Sequence, residues 1–163
     1  MLIYIVRHAW AFQHGDPRWP DDSQRPLEEE GAERFAKVVK RLVERGFAPA
    51  RIATSPYVRC RQTAEIVAEH VPGAPRLVEL DALRPGSDLA ALIEWSRDSD
   101  DAGDVCWVGH APDVSHLAAA LLGDGNAALR FAKGATAAIR FDDQIEAGGG
   151  ELQWLATAKL LGV

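Results

Sequence analysis

The 163-residue chain is 47% hydrophobic, with 26% charged residues and a formal net charge of −6. That length and hydrophobic content suit one compact core, so we expect residues 1–163 to form a single domain. The negative balance repels nucleic-acid phosphates and anionic lipid headgroups. It therefore argues against nucleic-acid and membrane partners, and any anion-binding site must be local.

Short apolar runs alternate along the chain with amphipathic helical patterns, which is typical of βαβ units and a mainly parallel sheet covered by helices. Strands are predicted at 2–6, 51–54, 76–80 and 105–108, and helices at 27–45, 58–71, 88–97 and 114–122. The segments 135–141 and 151–156 are predicted to form a closing antiparallel hairpin. The sequence therefore predicts an α/β fold.

The first strand begins almost at once and has no basic segment before it, so it does not fit a secretory signal. No apolar stretch reaches membrane-spanning length. Cys60 and Cys106 lack the spacing of a metal site or a disulfide framework, and we expect them to be reduced. These features together predict a cytoplasmic protein.

Polar residues follow three of the predicted strands directly. Arg7 and His8 follow the first, Arg59 comes shortly after the second, and His110 follows the strand at 105–108. Each is unremarkable alone, since a histidine after a strand is often a structural residue. Ligands in open α/β sheets bind at the carboxyl ends of the parallel strands, so the shared position predicts one anion site built from these four residues.

The segments around these residues also resemble known motifs. They are Ile5-Val6-Arg7-His8-Ala9, Ser55-Pro56-Tyr57-Val58-Arg59-Cys60-Arg61-Gln62-Thr63-Ala64 and Val108-Gly109-His110. In order and spacing they resemble the histidine phosphatase superfamily. Within it, the segments 22–27 and 83–85 are similar to the compact SixA-type phosphohistidine phosphatases. The resemblance implies a phosphoglycerate mutase-like, three-layer α/β/α fold without a large cap, and a nucleophilic His8 that is transiently phosphorylated.

The residue chemistry fits phosphoryl transfer. Planar guanidinium groups satisfy the equatorial oxygens of a transferring phosphoryl group, and Arg7 and Arg59 suit that task. Arg25 is either a third donor or a solvated surface residue. We expect flanking arginines to lower the pKa of His8 and keep it neutral for attack, while His110, if protonated, would be another donor.

The proton donor to the leaving group is less defined. Larger relatives often have a glutamate near 79–86, where this chain has Leu83-Arg84-Pro85 instead. By resemblance to the SixA type Asp22 is the candidate, with Asp16 and Glu79 as runners-up, although Asp22 could equally be a turn or helix-entry residue. An imidazole leaving group, with a reference pKa of about 6.5, needs less protonation than an alkoxide, which favours phosphohistidine as substrate.

The loop after His8 is expected to contribute Trp10 and Trp19 to the walls of the site, and His14 to be exposed rather than catalytic. Another departure from the SixA pattern is Glu28, which stands where a hydroxyl residue usually follows Arg-Pro-Leu. That change is expected to be structural, at the start of a helix. Because the other connections after the strands are short, we also expect a shallow site.

The alternatives are a metal centre, a cysteine phosphatase, an enzyme acting on small phosphate esters, and a noncatalytic phosphate- or phosphoprotein-binding module. His8, His110 and Asp22 could ligate a cation, but guanidinium groups repel cations, so we expect neither a metal nor another cofactor. No loop of backbone donors and arginine follows Cys60 as a cysteine nucleophile requires. A nucleotide-binding α/β domain is a further alternative, and it is disfavoured because no glycine-rich fingerprint follows the first strand. The expected partner is a phosphohistidine-bearing protein or, alternatively, a small phosphate ester.

Overall fold

The computed structural model describes residues 1–97 and 103–163. The strands are β1 (Leu2–Arg7), β2 (Arg51–Thr54), β3 (Arg76–Glu79), β4 (Val105–Gly109), β5 (Thr136–Arg140) and β6 (Glu151–Ala156). The helices are α1 (Glu29–Val43), α2 (Val58–His70), α3 (Leu89–Arg97) and α4 (Asp113–Leu121). Short 3₁₀ helices at Asp22–Gln24 and Asp81–Leu83 were not predicted.

The six strands form one sheet in the order β3-β2-β4-β1-β5-β6. The first four of these are mutually parallel, and β5 and β6 complete the sheet as an antiparallel pair. Strand β4 pairs in parallel with β1 on one side and with β2 on the other. The carboxyl ends of these three strands therefore lie at one edge of the sheet. This is the edge at which the sequence predicted the site.

Helices cover both faces of the sheet. Side chains alternate along β1, so that Tyr4 and Val6 join one buried cluster while Ile3 and Ile5 join another. The first cluster contains the buried faces of α1 and α2, and the second contains those of α3 and α4. The predicted three-layer α/β/α fold is therefore confirmed, and no large cap covers the site edge within the described parts of the chain.

The first helix forms because its apolar residues recur on one face. Its fully buried side chains are Phe35, Val38, Val39 and Leu42, the last at 3% exposure. Glu29 and Glu30 in the first turn complement the helix dipole. The helix begins at Glu29 rather than at position 27, because Leu27 forms an isolated antiparallel bridge with Ala11.

That bridge closes the long loop between β1 and α1, residues 8–28. The loop is joined at its base by hydrogen bonds from Glu28 N to Trp10 O (3.0 Å) and from Phe12 N to Pro26 O (3.2 Å). Gly31 allows the close approach of α1, because a Cβ atom there would lie 2.5 Å from the Trp10 carbonyl oxygen. The loop is thus a fixed wall beside the carboxyl ends of the strands.

Candidate active site

A cavity of about 750 Å³ opens at the carboxyl edge of β1 and β4, against the loop 8–28. It is lined by Arg7, His8, Ala11, Phe12, Gln13, His14, Asp22, Arg25, Glu28, Arg59, Pro85, Gly86, His110, Ala111, Pro112, Asp113 and Lys133. Its volume lies in the range of small-molecule sites, about 300–1,000 Å³. The loop 8–28 forms a wall on one side of the cavity, and the expectation of a shallow site stays a prediction, because the volume does not give the depth.

His8 lies directly after β1 and is 8% exposed. Its Nδ1 atom is 2.8 Å from the carbonyl oxygen of Ala9. A carbonyl can only accept, so Nδ1 carries the hydrogen and Nε2 keeps a free lone pair. Burial lowers the pKa of His8 to about 3, outweighing the Ala9 hydrogen bond, and the charges of Arg59 and Arg7 lower it further. The imidazole of His8 is neutral as expected, but burial lowers its pKa more than the charges of the arginines do.

Arg7 is the last residue of β1, where it pairs with Gly109 of β4. Its Nη1 atom donates to the carbonyl oxygen of Phe131 at 2.8 Å. Nη2 has no acceptor among the described residues, and the buried Nε atom has none either. The guanidinium is therefore fixed by the backbone and still has donors to offer to an anion.

Arg59 and His110 meet across the same cavity and are each 4% exposed. Arg59 Nη2 lies 3.2 Å from His110 Nδ1, and His110 Nε2 lies 2.9 Å from the hydroxyl oxygen of Ser55. Because a guanidinium can only donate, His110 Nδ1 accepts and Nε2–H points to Ser55. Burial, reinforced by the charge of Arg59, lowers the pKa of His110 to about 3. The imidazole is neutral here, and its protonated form would need an added anion.

Asp22 and Arg25 belong to the unpredicted 3₁₀ helix and the residue that ends it. The Asp22 carboxylate accepts from Arg25 Nε at 2.8 Å and lies 3.0 Å from Arg59 Nη2 and 2.9 Å from His14 Nδ1. Partial burial alone would raise the pKa of Asp22, but the bonds from Arg25 and His14 and the charge of Arg59 hold it well below its usual range. Arg25 is 8% exposed, so it is not the solvated surface residue that was the alternative.

The two runner-up acids lie outside the cavity. Asp16 is bound by Arg18 at 2.7 Å, and Glu79 ends the edge strand β3 with Arg61 at 3.7 Å. Neither lines the cavity, so both suggestions are wrong. Their positions depend on the path of the loop and on the edge location of β3, which the sequence pattern does not show.

Two aromatic predictions for the walls are also wrong. Trp10 packs against the core beside α1, and the Arg34 guanidinium lies 4.4 Å from its ring centroid. Trp19 stacks on Phe12 at 4.6 Å between ring centroids, and Phe12 is the residue that lines the cavity. His14 is exposed as expected, yet it lines the cavity and contacts Asp22.

Three residues for which the sequence predicted no role in the site also line the cavity. Glu28 immediately precedes α1, and its side chain makes no capping hydrogen bond with that helix. Because Glu28 also lines the cavity, the structural role expected for it does not describe it fully. Asp113 lines the opposite side, where its carboxylate accepts from Gly86 N at 2.9 Å. Lys133 lines the rim from the turn before β5. Only Glu28, next to the Arg-Pro-Leu segment, carried a signal that could have placed it here.

Metal and thiol chemistry have little support in the described residues. Across residues 1–97 and 103–163, no group of three or more His, Cys, Asp or Glu side chains could hold a metal ion. Cys60 is fully buried, and burial raises the pKa of its thiol to about 12 despite the nearby Arg59 charge.

Within the described ranges, every helix is too short or too polar to span a bilayer.

His8, His110 and three arginines line one cavity at the carboxyl edge of the sheet, and the positive charge of the arginines suits an anion such as a phosphoryl group. A sequence profile of the histidine phosphatase superfamily (branch 1) matches residues 3–84. The chain belongs to this superfamily, and that membership supports a phosphatase activity.

Individual relatives agree with this assignment. An uncharacterized protein of Picosynechococcus sp. is 36% identical over 123 residues, which cover 74% of this chain and 73% of the relative. Phosphohistidine phosphatase SixA of Escherichia coli K12 is 27% identical over 158 residues, which cover 94% and 92% of the two chains.

Solved structures share the fold. A structure of the protein histidine phosphatase SixA complexed with tungstate has a TM-score of 0.80 at 24% identity and covers 99% of both chains. Phosphoglycerate mutase of Bacillus anthracis has a TM-score of 0.72 at 13% identity, covering 99% of this chain and 95% of its own. The predicted phosphoglycerate mutase-like fold is thereby confirmed.

Proposed function

We propose that this phosphatase removes the phosphoryl group from phosphohistidine on a protein, through a transient phosphohistidine at His8. The observation that carries the proposal is the state of His8: Nδ1 is committed to the Ala9 carbonyl, and the ring is neutral with Nε2 free beside two arginines. A neutral imidazole with one fixed nitrogen is a nucleophile poised for phosphorus.

In the first step His8 Nε2 attacks phosphorus in line while the bond from phosphorus to the leaving nitrogen breaks. Arg7 offers Nη2 to the equatorial oxygens, and Arg59 and Arg25 line the same cavity and would contribute further guanidinium donors. The incoming negative charge favours protonation of His110 at Nδ1, which would then donate to the phosphoryl group. The product of this step is phospho-His8.

Asp22 is the proposed proton donor, although its free-state pKa is low. The guanidinium groups that hold the pKa down, those of Arg25 and Arg59, are also the groups a phosphoryl anion would bind. Phosphoryl binding therefore weakens the contacts of Asp22 and adds a negative neighbour, both of which raise its pKa. Asp22 would protonate the leaving nitrogen, then accept a proton from the water that attacks phosphorus and releases His8.

The choice of phosphohistidine has two supports. An imidazole leaving group, with a reference pKa of about 6.5, tolerates a weak acid such as Asp22 better than an alkoxide does. A relative aligned over most of both chains is named a phosphohistidine phosphatase. Hydrolysis of small phosphate esters is the second candidate, and the cavity volume of about 750 Å³ favours it.

The test compares phosphate release from a histidine-phosphorylated carrier protein with release from a panel of small phosphate esters. Wild type is expected to have the higher kcat/KM on the phosphoprotein, and His8→Ala is expected to abolish it. Preference for one ester would move the function to metabolite phosphatase. No turnover of either substrate by wild type would favour a noncatalytic binding module.

A further inference from the structure

Lys133 is a rim residue that the mechanism above does not use. It lines the cavity, and its side chain is exposed to solvent. Within residues 1–97 and 103–163, no hydrogen bond or ion pair is formed by its ammonium group. A lone exposed lysine is ordinarily only a solvated charge, but the backbone that carries Lys133 is held in a fixed position.

The turn that carries Lys133 forms hydrogen bonds with Arg7 and His8, at the end of β1, on both sides of the lysine. The carbonyl oxygen of Phe131 accepts from Arg7 Nη1 at 2.8 Å, and Gly134 N donates to the carbonyl oxygen of His8 at 3.2 Å. Arg7 N also donates to Ala135 O at 3.0 Å. The same residues that would bind and attack the phosphoryl group therefore fix the backbone from which the Lys133 side chain extends.

Packing holds the turn in this position as well. Phe131 is 3% exposed and belongs to the core. Gly134 has a φ of +69°, and a Cβ atom there would lie 3.0 Å from Phe35 and 3.2 Å from Trp10. The turn can neither shift inward nor readily accept another residue at Gly134, so Lys133 is presented at a constant place on the rim.

The phosphoryl group itself already has a set of buried partners. His8, Arg25, Arg59 and His110 are 8%, 8%, 4% and 4% exposed. Lys133, by contrast, is exposed at the opening, where it would meet the part of the substrate that stays outside. The burial pattern thus separates an inner phosphoryl site from an outer cationic position.

The other charges at the opening limit what Lys133 can bind. Glu28 is exposed, and Asp113 lies at the start of α4 on another side. Two carboxylates facing the same opening would repel a uniformly acidic partner surface. These two carboxylates favour a single, localised anion beside Lys133 over an extended acidic surface.

We propose that Lys133 binds a second anionic group of the substrate, a carboxylate that lies next to the phosphohistidine on the partner protein. This inference rests on the proposed function for the identity of the substrate. Lys133 is a specificity residue in this role, since it acts on affinity and not on the transferred phosphoryl group.

The experiment uses two phosphohistidine peptides that differ only by glutamate or glutamine beside the phosphohistidine. Wild type is expected to have about a fivefold lower KM for the glutamate peptide, as for a partly exposed ion pair. Lys133→Ala should erase the preference with kcat changed less than twofold, and Lys133→Arg should restore it. Arg130→Ala is the matched control, because Arg130 is exposed in the same segment but does not line the cavity.

Two results would overturn the proposal: equal KM values for the two peptides with wild type, or an equal loss on both with Lys133→Ala. Free phosphoramidate, which has no second anion, should be hydrolysed equally by wild type and Lys133→Ala. If wild type hydrolyses neither peptide, the proposed function fails, and a binding measurement then decides the role of Lys133.

That measurement titrates phenyl phosphate and a carboxylated phenyl phosphate into His8→Ala protein by calorimetry. Tighter binding of the carboxylated compound, lost when Lys133→Ala is added, would support the second-anion role without any turnover. The preference should also shrink as salt rises, because an exposed pair is screened. Equal affinity for both compounds would contradict the proposal.

Discussion

Replacing Asp22 by asparagine separates its two proposed effects on the site. The carboxylate contacts Arg25 Nε at 2.8 Å and Arg59 Nη2 at 3.0 Å, and its side chain is 33% exposed. A bound phosphate competes for these donors and is repelled by the carboxylate charge. Asparagine keeps an acceptor for Arg25 but removes that charge, so oxyanion binding should strengthen.

The size of the gain follows from the exposure. A fully desolvated charge-assisted hydrogen bond contributes about 1.5–3 kcal/mol. Because Asp22 is one-third exposed, we take about 1 kcal/mol, or roughly fivefold tighter binding of inorganic phosphate. Loss of the proton donor should lower kcat on an alkyl phosphate ester by about 100-fold, and on phosphohistidine by less than about tenfold.

Calorimetry with inorganic phosphate and steady-state turnover of the two substrates measure these effects. Asp16→Asn is the matched control, since Asp16 lies in the same loop but binds Arg18 outside the cavity. Weaker phosphate binding by Asp22→Asn would mean that the carboxylate is needed to hold the arginines in place. Equal losses on ester and phosphohistidine would refute its role as proton donor.

Further tests concern Arg7, the two buried histidines, Gly134 and the effect of a chelator on turnover. Arg7→Ala should lower kcat by about 10²–10³-fold while the protein stays folded, as circular dichroism can check, and full activity would remove Arg7 from the phosphoryl site. His8 and His110 have folded pKa values near 3, below the unfolded value of about 6.5, so the unfolded state binds more protons in this window. The free energy of unfolding should therefore fall as pH drops from about 6.5 toward 3, by up to about 1.4 kcal/mol per pH unit for each histidine. Urea titrations at several pH values measure this fall, and the free energy of unfolding of His8→Ala should depend less steeply on pH than that of wild type. Gly134→Ala should cost about 1–3 kcal/mol in urea unfolding, whereas Gly125→Ala, in open space, should cost less than about 1 kcal/mol, and equal costs would contradict the packing argument. Chelator should leave turnover unchanged, and activity that is lost with chelator and restored by added metal would contradict the metal-free site.

The parts of the fold that the sequence predicted are those set by local pattern. Apolar runs placed the parallel strands within a residue or two, and the polar residues directly after them, Arg7, His8 and His110, meet where parallel strands must end together. Arg59 follows β2 on the first turn of α2 and therefore reaches the same edge.

The rest depends on contacts between distant segments. Asp22 meets Arg59 across 37 positions, because the loop 8–28 folds back against α2, and no periodicity in that loop shows its path. Lys133 lines the cavity from the turn before the antiparallel strand β5. A search for polar residues at the carboxyl ends of parallel strands therefore does not identify it as a site residue. Glu79 does not line the cavity, because β3 lies at an edge of the sheet, two strands away from β4.

The proposed mechanism requires that His8 becomes phosphorylated during turnover. Wild type and His8→Ala can be mixed with a carrier protein bearing radiolabelled phosphohistidine, quenched within milliseconds to seconds at alkaline pH, and digested for mass spectrometry. If His8 is the nucleophile, the peptide that contains His8 carries label transiently, the label is stable to alkali and labile to acid, and the variant carries none. Phosphate release by wild type without any labelled enzyme, or label retained by His8→Ala, would contradict it.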